Sequence, residues 1–163
     1  MSENAVFYDK ERFAPVVERV FGKTSEQNIL KGKDRLTEIK FFMDSAAESH
    51  RTYKTLATKC HGTCQKTLML FAKEEKDQFV RLRTAYYILT GETYTPEIRV
   101  KKYPGIMSAL RVRYETERSL EKAYADATKN EEKDDIAKLY TQLAAKKGEH
   151  AATITKLLES MLS

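Results

Sequence analysis

The chain has 163 residues, a formal charge of +5, 41% hydrophobic and 33% charged residues. That apolar content can fill one modest core, while the charge is too mild and too evenly spread to mark a nucleic-acid binder. The opening MSENAVFYDKERF has no apolar run and no stretch has membrane-spanning length, so a cytoplasmic protein without a membrane partner is expected.

Residues 1–33 read as an N-terminal extension in which FAPVVERVFG forms a short amphipathic helix, interrupted early by Pro15 and packing on the rest of the chain or on a second subunit. A long helix is then expected from about Asp34 to Cys60, with Leu36, Ile39, Met43, Ala46, Tyr53, Leu56 and Cys60 on its apolar stripe. Glu48 lies two positions from Ala46, which at ~100° per residue turns it to the solvated side. His50, one turn from Ala46, reads as an ordinary helix histidine. In the turn CHGTC, two cysteines and His61 do not complete a tetrahedral zinc site, and the two-residue redox spacing is missing. Cys60 and Cys64 are expected to be free thiols, with a reversible disulfide as the alternative.

The second helix is expected from about Cys64 to Thr90, stopped by Gly91. Its inward face carries Leu68, Phe71, Ala72, Phe79, Leu82, Ala85 and Leu89. Glu75 falls in the middle of that face, and Gln78 follows one turn on. Tyr86, Tyr87 and Tyr94 read as packing for the connection that follows, GETYTPEIRVKKYPG. Arg99, Lys101, Lys102, Arg111 and Arg113 form the densest basic stretch and read as a solvated face.

A third helix is expected from about Gly105 to Asn130, with Ile106, Leu110, Glu117, Leu120, Tyr124 and Ala127 facing inward. The fourth carries Asp134 and Asp135 in its opening turn, where carboxylates favour the helix dipole. Its stripe, Ile136, Tyr140, Leu143, Lys147, His150, Ile154, Leu157 and Met161, advances by alternating steps of four and three. The short turns make two antiparallel hairpins. The connection between them, at ~15 residues, reaches roughly 50 Å, whereas a helix of ~26 residues is about 39 Å long. It can therefore travel the full height of a four-helix bundle as one long crossover. Ala46 and Glu75 lie at nearly equal heights above the first turn, as do Glu117 and Lys147 beside the second, so the hairpins read as an internal duplication.

These features resemble the ferritin-like superfamily, closest to its rubrerythrin-type di-iron domains, over roughly residues 34 to 161. In that family helices one and three each supply a glutamate followed seven residues later by a tyrosine, and helices two and four each supply a glutamate and a histidine three apart. ETERSLEKAY keeps the third-helix element in Glu117 and Tyr124. FAKEEKDQFVRLRTAYYILTGETY keeps Glu75 but has Gln78 at the histidine. LAAKKGEHAATITKLLE keeps His150 but has Lys147 at the glutamate, and DSAAESHRTYKTLA keeps Tyr53 but has Ala46 at the glutamate. The resemblance implies that Glu75, Glu117 and His150 are residual metal ligands, that Ala46, Gln78 and Lys147 occupy former metal-site positions, and that Tyr53 and Tyr124 stand behind the ligands.

The missing ligands are unevenly distributed. One metal position of the family loses both of its private ligands, at Ala46 and Gln78; the other keeps Glu117, His150 and the bridging Glu75. Lys147 can act as a replacement counter-ion, because buried carboxylates without a cation are costly. The expected function is that of a degenerate, non-catalytic binding or structural protein with a salt-bridged polar core and no cofactor, working as a homodimer or with another protein. The alternative is a rubrerythrin-like oxidoreductase or metal-handling protein with one iron, manganese or zinc ion. Family redox chemistry relies on two metals sharing electrons, and a paired CxxC electron-transfer motif is missing.

Overall fold

The computed structural model describes the backbone of residues 27–163 and the side chains of residues 35–163. The expected N-terminal helix around FAPVVERVFG lies outside the described residues. Four helices make up the described fold: α1 (Gln27–Ala57), α2 (Gly62–Thr90), α3 (Ile106–Asn130) and α4 (Asp134–Leu162). They form two helical hairpins, α1 with α2 and α3 with α4, and no strand occurs among the described residues. No helix among them is long and apolar enough to cross a membrane.

α1 begins at Gln27, earlier than the expected Asp34, and runs through Gly32. One glycine costs a helix only about 1 kcal/mol, which neighbouring residues offset. The helix stops at Ala57, three residues short of the expected end, where the Thr58 and Lys59 amides donate to the Thr55 and Leu56 carbonyls and tighten the last turn. α2 begins at Gly62 and ends where Gly91 takes a left-handed φ of 70° and donates its amide to the Tyr87 carbonyl. That conformation is why glycine suits the position.

The first hairpin closes on Ile39, Met43, Ala46, Tyr53 and Leu56 of α1 and Leu68, Phe71, Ala72 and Leu82 of α2. Tyr53 meets Phe71 edge-on with ring centroids 5.3 Å apart. α1 departs from the single stripe read from sequence, because Glu38, Phe42, Ser45, Ser49 and Thr52 are buried as well. These lie one residue to the side of the apolar stripe, so the buried arc is wider than one seam. Glu48 is half-buried rather than fully solvated.

The chain leaving α2 stays on the first hairpin. The Tyr94 hydroxyl donates to both Asp44 oxygens, at 2.9 and 3.1 Å, and its ring packs against Tyr86. Lys40 lies over both rings. Tyr86 and Tyr94 thus anchor the connection as expected, while Tyr87 is exposed.

The second hairpin packs Leu110, Leu120, Tyr124 and Ala127 against Ile136, Tyr140, Leu143 and Ile154. Gly148 of α4 lies so close to α3 that an added Cβ would meet Glu121 Oε1 at 2.8 Å. Asp134 and Asp135 occupy the first turn of α4, as expected from the helix dipole.

Candidate functional site

On α3, Leu110, Arg113, Glu117, Leu120 and Tyr124 succeed one another by alternating steps of three and four, which sets them on one face. All five are buried. Arg113 reaches along the helix to place Nη2 2.6 Å from Glu117 Oε1. From α4, Lys147 brings Nζ to 3.5 Å from Glu117 Oε2, and His150, one turn on, brings Nδ1 to the same 3.5 Å. Each of the four residues is at most 1% exposed. The second hairpin therefore encloses one carboxylate between a guanidinium, an ammonium and an imidazole.

Burial alone would raise the pKa of Glu117. The charges of Lys147 and Arg113, followed by the contact with His150, outweigh that effect and hold the carboxyl well below its ordinary range. A carboxylate so stabilised in its ionised form is a weak proton acceptor. Its role is that of an internal anion.

Arg113 corrects the sequence expectation. Arg99, Lys102 and Arg111 are exposed as a solvated basic face should be, but Arg113 is 1% exposed. Its place in the heptad between Leu110 and Glu117 was the available signal. Arginine's length and its cluster with other basic residues masked it.

The remaining predicted site residues lie on the first hairpin. Ala46, Tyr53, Glu75 and Gln78 are all buried. Neither amide atom of Gln78 has a hydrogen-bond partner, although the side chain is only 4% exposed. Tyr124 is buried on the second hairpin, with its ring against Tyr140. His50 donates Nδ1–H to the Ala72 carbonyl at 2.6 Å, a carbonyl being able only to accept. It ties α1 to α2 as a structural histidine would. Cys60 and Cys64 are buried free thiols.

The ferritin-like resemblance implies metal at Glu117 and His150, and the side chains around them test that fit. A dication about 4 Å from one monocation is opposed by roughly 8 kcal/mol at an effective dielectric constant near 20. Here two cationic side chains already contact the Glu117 carboxylate. Arg113 and Lys147 thus oppose a metal ion at the Glu117 carboxylate in the arrangement observed. Comparison with protein-family models, with curated proteins and with solved structures finds no match to the chain.

Proposed function

We propose that the chain is a ferritin-like, rubrerythrin-type helical domain whose metal centre has been replaced by internal ion pairs, and that it works as a non-catalytic binding or structural protein. One observation carries this: Glu117, at a ligand position of the resembled family, holds Arg113 at 2.6 Å and Lys147 at 3.5 Å. Within the second hairpin Arg113 and Lys147 supply the positive charge that compensates the buried Glu117 carboxylate. Replacing metals by side-chain cations keeps buried carboxylates compensated without the redox chemistry that metals supply. The domain would then serve as a stable surface for a second copy of itself or for another protein.

Metal content tests the proposal. Untagged protein, purified without chelators after growth with added iron, manganese and zinc, should carry no stoichiometric metal by mass spectrometry. One ion per chain would replace the proposal with the single-metal alternative of Glu75, Glu117 and His150, with Lys147 and Arg113 turned away. Two ions would overturn the ligand assignment. A constructive counterpart combines Ala46→Glu, Gln78→His and Lys147→Glu with Arg113→Leu, which removes the second cation. This variant should gain iron or manganese binding, and failure to do so in a folded protein would count against the ferritin-like alignment.

A further inference from the structure

A cavity of about 470 Å³ lies on the first hairpin, between one face of α1, one face of α2 and the chain segment that follows α2. Its volume is within the range of small-molecule sites. Arg51 and Lys54 of α1 and Lys76 and Arg83 of α2 line it, and no carboxylate does. Two acids near the lining segments are engaged elsewhere: Asp44 accepts from Tyr94, and Glu97 lies 3.9 Å from Arg99. None of the four cations forms an ion pair with a described carboxylate. Helical side chains lean toward the N-terminus of their own helix, which directs Arg83 toward Phe79 one turn back. The Arg83 guanidinium indeed lies 5.6 Å from the Phe79 ring centre.

Ala47, Phe79, Pro96 and Ile98 supply an apolar part of the lining, beside Tyr94, Thr95 and His50. Because Tyr94 is fastened to Asp44, the wall formed by the connection is held against α1. Nδ1 of His50 is committed to the Ala72 carbonyl, which leaves Nε2 as its remaining polar atom at the cavity. Four exposed cations without acidic partners give the groove a positive potential, and like charges there repel one another mildly. An anion with an apolar body relieves that repulsion and covers the apolar wall.

We propose that this cavity binds a small phosphomonoester whose dianionic head meets Arg51, Lys54, Lys76 and Arg83 and whose ring or chain lies on Phe79, Pro96 and Ile98. Guanidinium groups suit phosphate because their forked donors match its oxygens. The site shares no residue with the ion cluster around Glu117 and does not depend on its being metal-free.

The probe is 1-naphthyl phosphate, whose fluorescence reports binding directly. It should bind saturably at one per chain, more tightly than inorganic phosphate, which lacks the apolar body, and more tightly than 1-naphthol, which lacks the charge. Raising NaCl from about 50 to about 500 mM should weaken it, because these cations are exposed to solvent. Arg51→Ser combined with Arg83→Ser should weaken it roughly tenfold or more. Lys54→Ser with Lys76→Ser should also weaken binding while leaving helix content and the unfolding midpoint unchanged. The proposal is overturned by no saturation up to about 5 mM, by 1-naphthol binding as well as its phosphate, or by folded variants that bind like the parent chain. Single-stranded oligonucleotides whose affinity rises with length while naphthyl phosphate does not compete would overturn it in favour of a nucleic-acid surface.

Discussion

Arg113 stands one helical turn before Glu117, and the two side chains meet at 2.6 Å with essentially no access to solvent. Lys147 reaches the other oxygen of the same carboxylate at the longer distance of 3.5 Å. Contact distance favours Arg113 as the closer partner, although the charge of Lys147 is the larger of the two causes that hold the carboxyl low. Removing Arg113 breaks the shorter, hydrogen-bonded pair but leaves Lys147 beside Glu117.

A ranking of stabilities follows from the contact distances. Glu117→Met should be the most destabilising change, because it leaves two buried cations without their shared anion. Arg113→Met should cost about 3 to 5 kcal/mol, the range for breaking a buried pair. Lys147→Met should cost roughly 1 to 2 kcal/mol, since the Arg113 hydrogen bond survives it. Urea unfolding of the three variants measures the order. If Arg113→Met cost less than Lys147→Met, the assignment of Arg113 as the principal counter-ion would fail.

Acid should undo the same cluster. The folded protein holds Glu117 ionised well below its ordinary pKa of 4.5, whereas the unfolded chain takes up a proton near that value. The contribution of this carboxylate is thus complete above about pH 4.5 and drains away as pH falls toward the folded value. Urea midpoints from pH 6 down to pH 3 should drop more steeply for the parent than for Glu117→Gln, which has no proton to take up. Parallel curves would show that acid sensitivity comes from other carboxylates.

Much of this arrangement was legible in the sequence. The helix pairs, the turn around His61 and the inward direction of Glu75, Glu117, Lys147 and His150 follow from heptad spacing and glycine punctuation, which act locally. Arg113 was misread because charge clustering suggested solvent while the heptad position pointed inward, and packing decided in favour of the heptad. The buried Ser45, Ser49 and Thr52 were missed because small polar side chains blur an apolar stripe without ending it. The cavity lined by Arg51 and Arg83 was also beyond reach. It depends on where Tyr94, Pro96 and Ile98 come to lie, and an irregular segment has no period that reveals this.

Cys64 near the first turn should be a sluggish nucleophile. Burial, then the contact with Cys60, pushes the Cys64 thiol from 9.0 up to about 12. The reactive thiolate at pH 8 is consequently scarcer than in an exposed cysteine. Iodoacetamide labelling followed by mass spectrometry should modify Cys64 slowly in the native protein and rapidly in urea. Labelling at equal rates in the two conditions would mean that this turn opens freely.

Gln78 offers the opposite kind of test, a substitution expected to strengthen the protein. Its side chain is 4% exposed, yet neither Oε1 nor Nε2 finds a hydrogen-bond partner. Burying an unpaired amide costs about 1 to 3 kcal/mol. Methionine has nearly the same length and flexibility without the polar atoms, so it can fill the space without a new cavity. Gln78→Met should therefore raise stability by roughly 1 to 2 kcal/mol, less than the full penalty because repacking is imperfect. Gln78→Ala removes the same polar atoms but leaves a hole, and comparing the two variants separates loss of the amide from loss of volume. If Gln78→Met destabilised the protein by more than about 1 kcal/mol, the amide would have to be making an interaction that stabilises the fold. Gln78 would then be a working member of a polar core instead of an unpaired amide that costs stability.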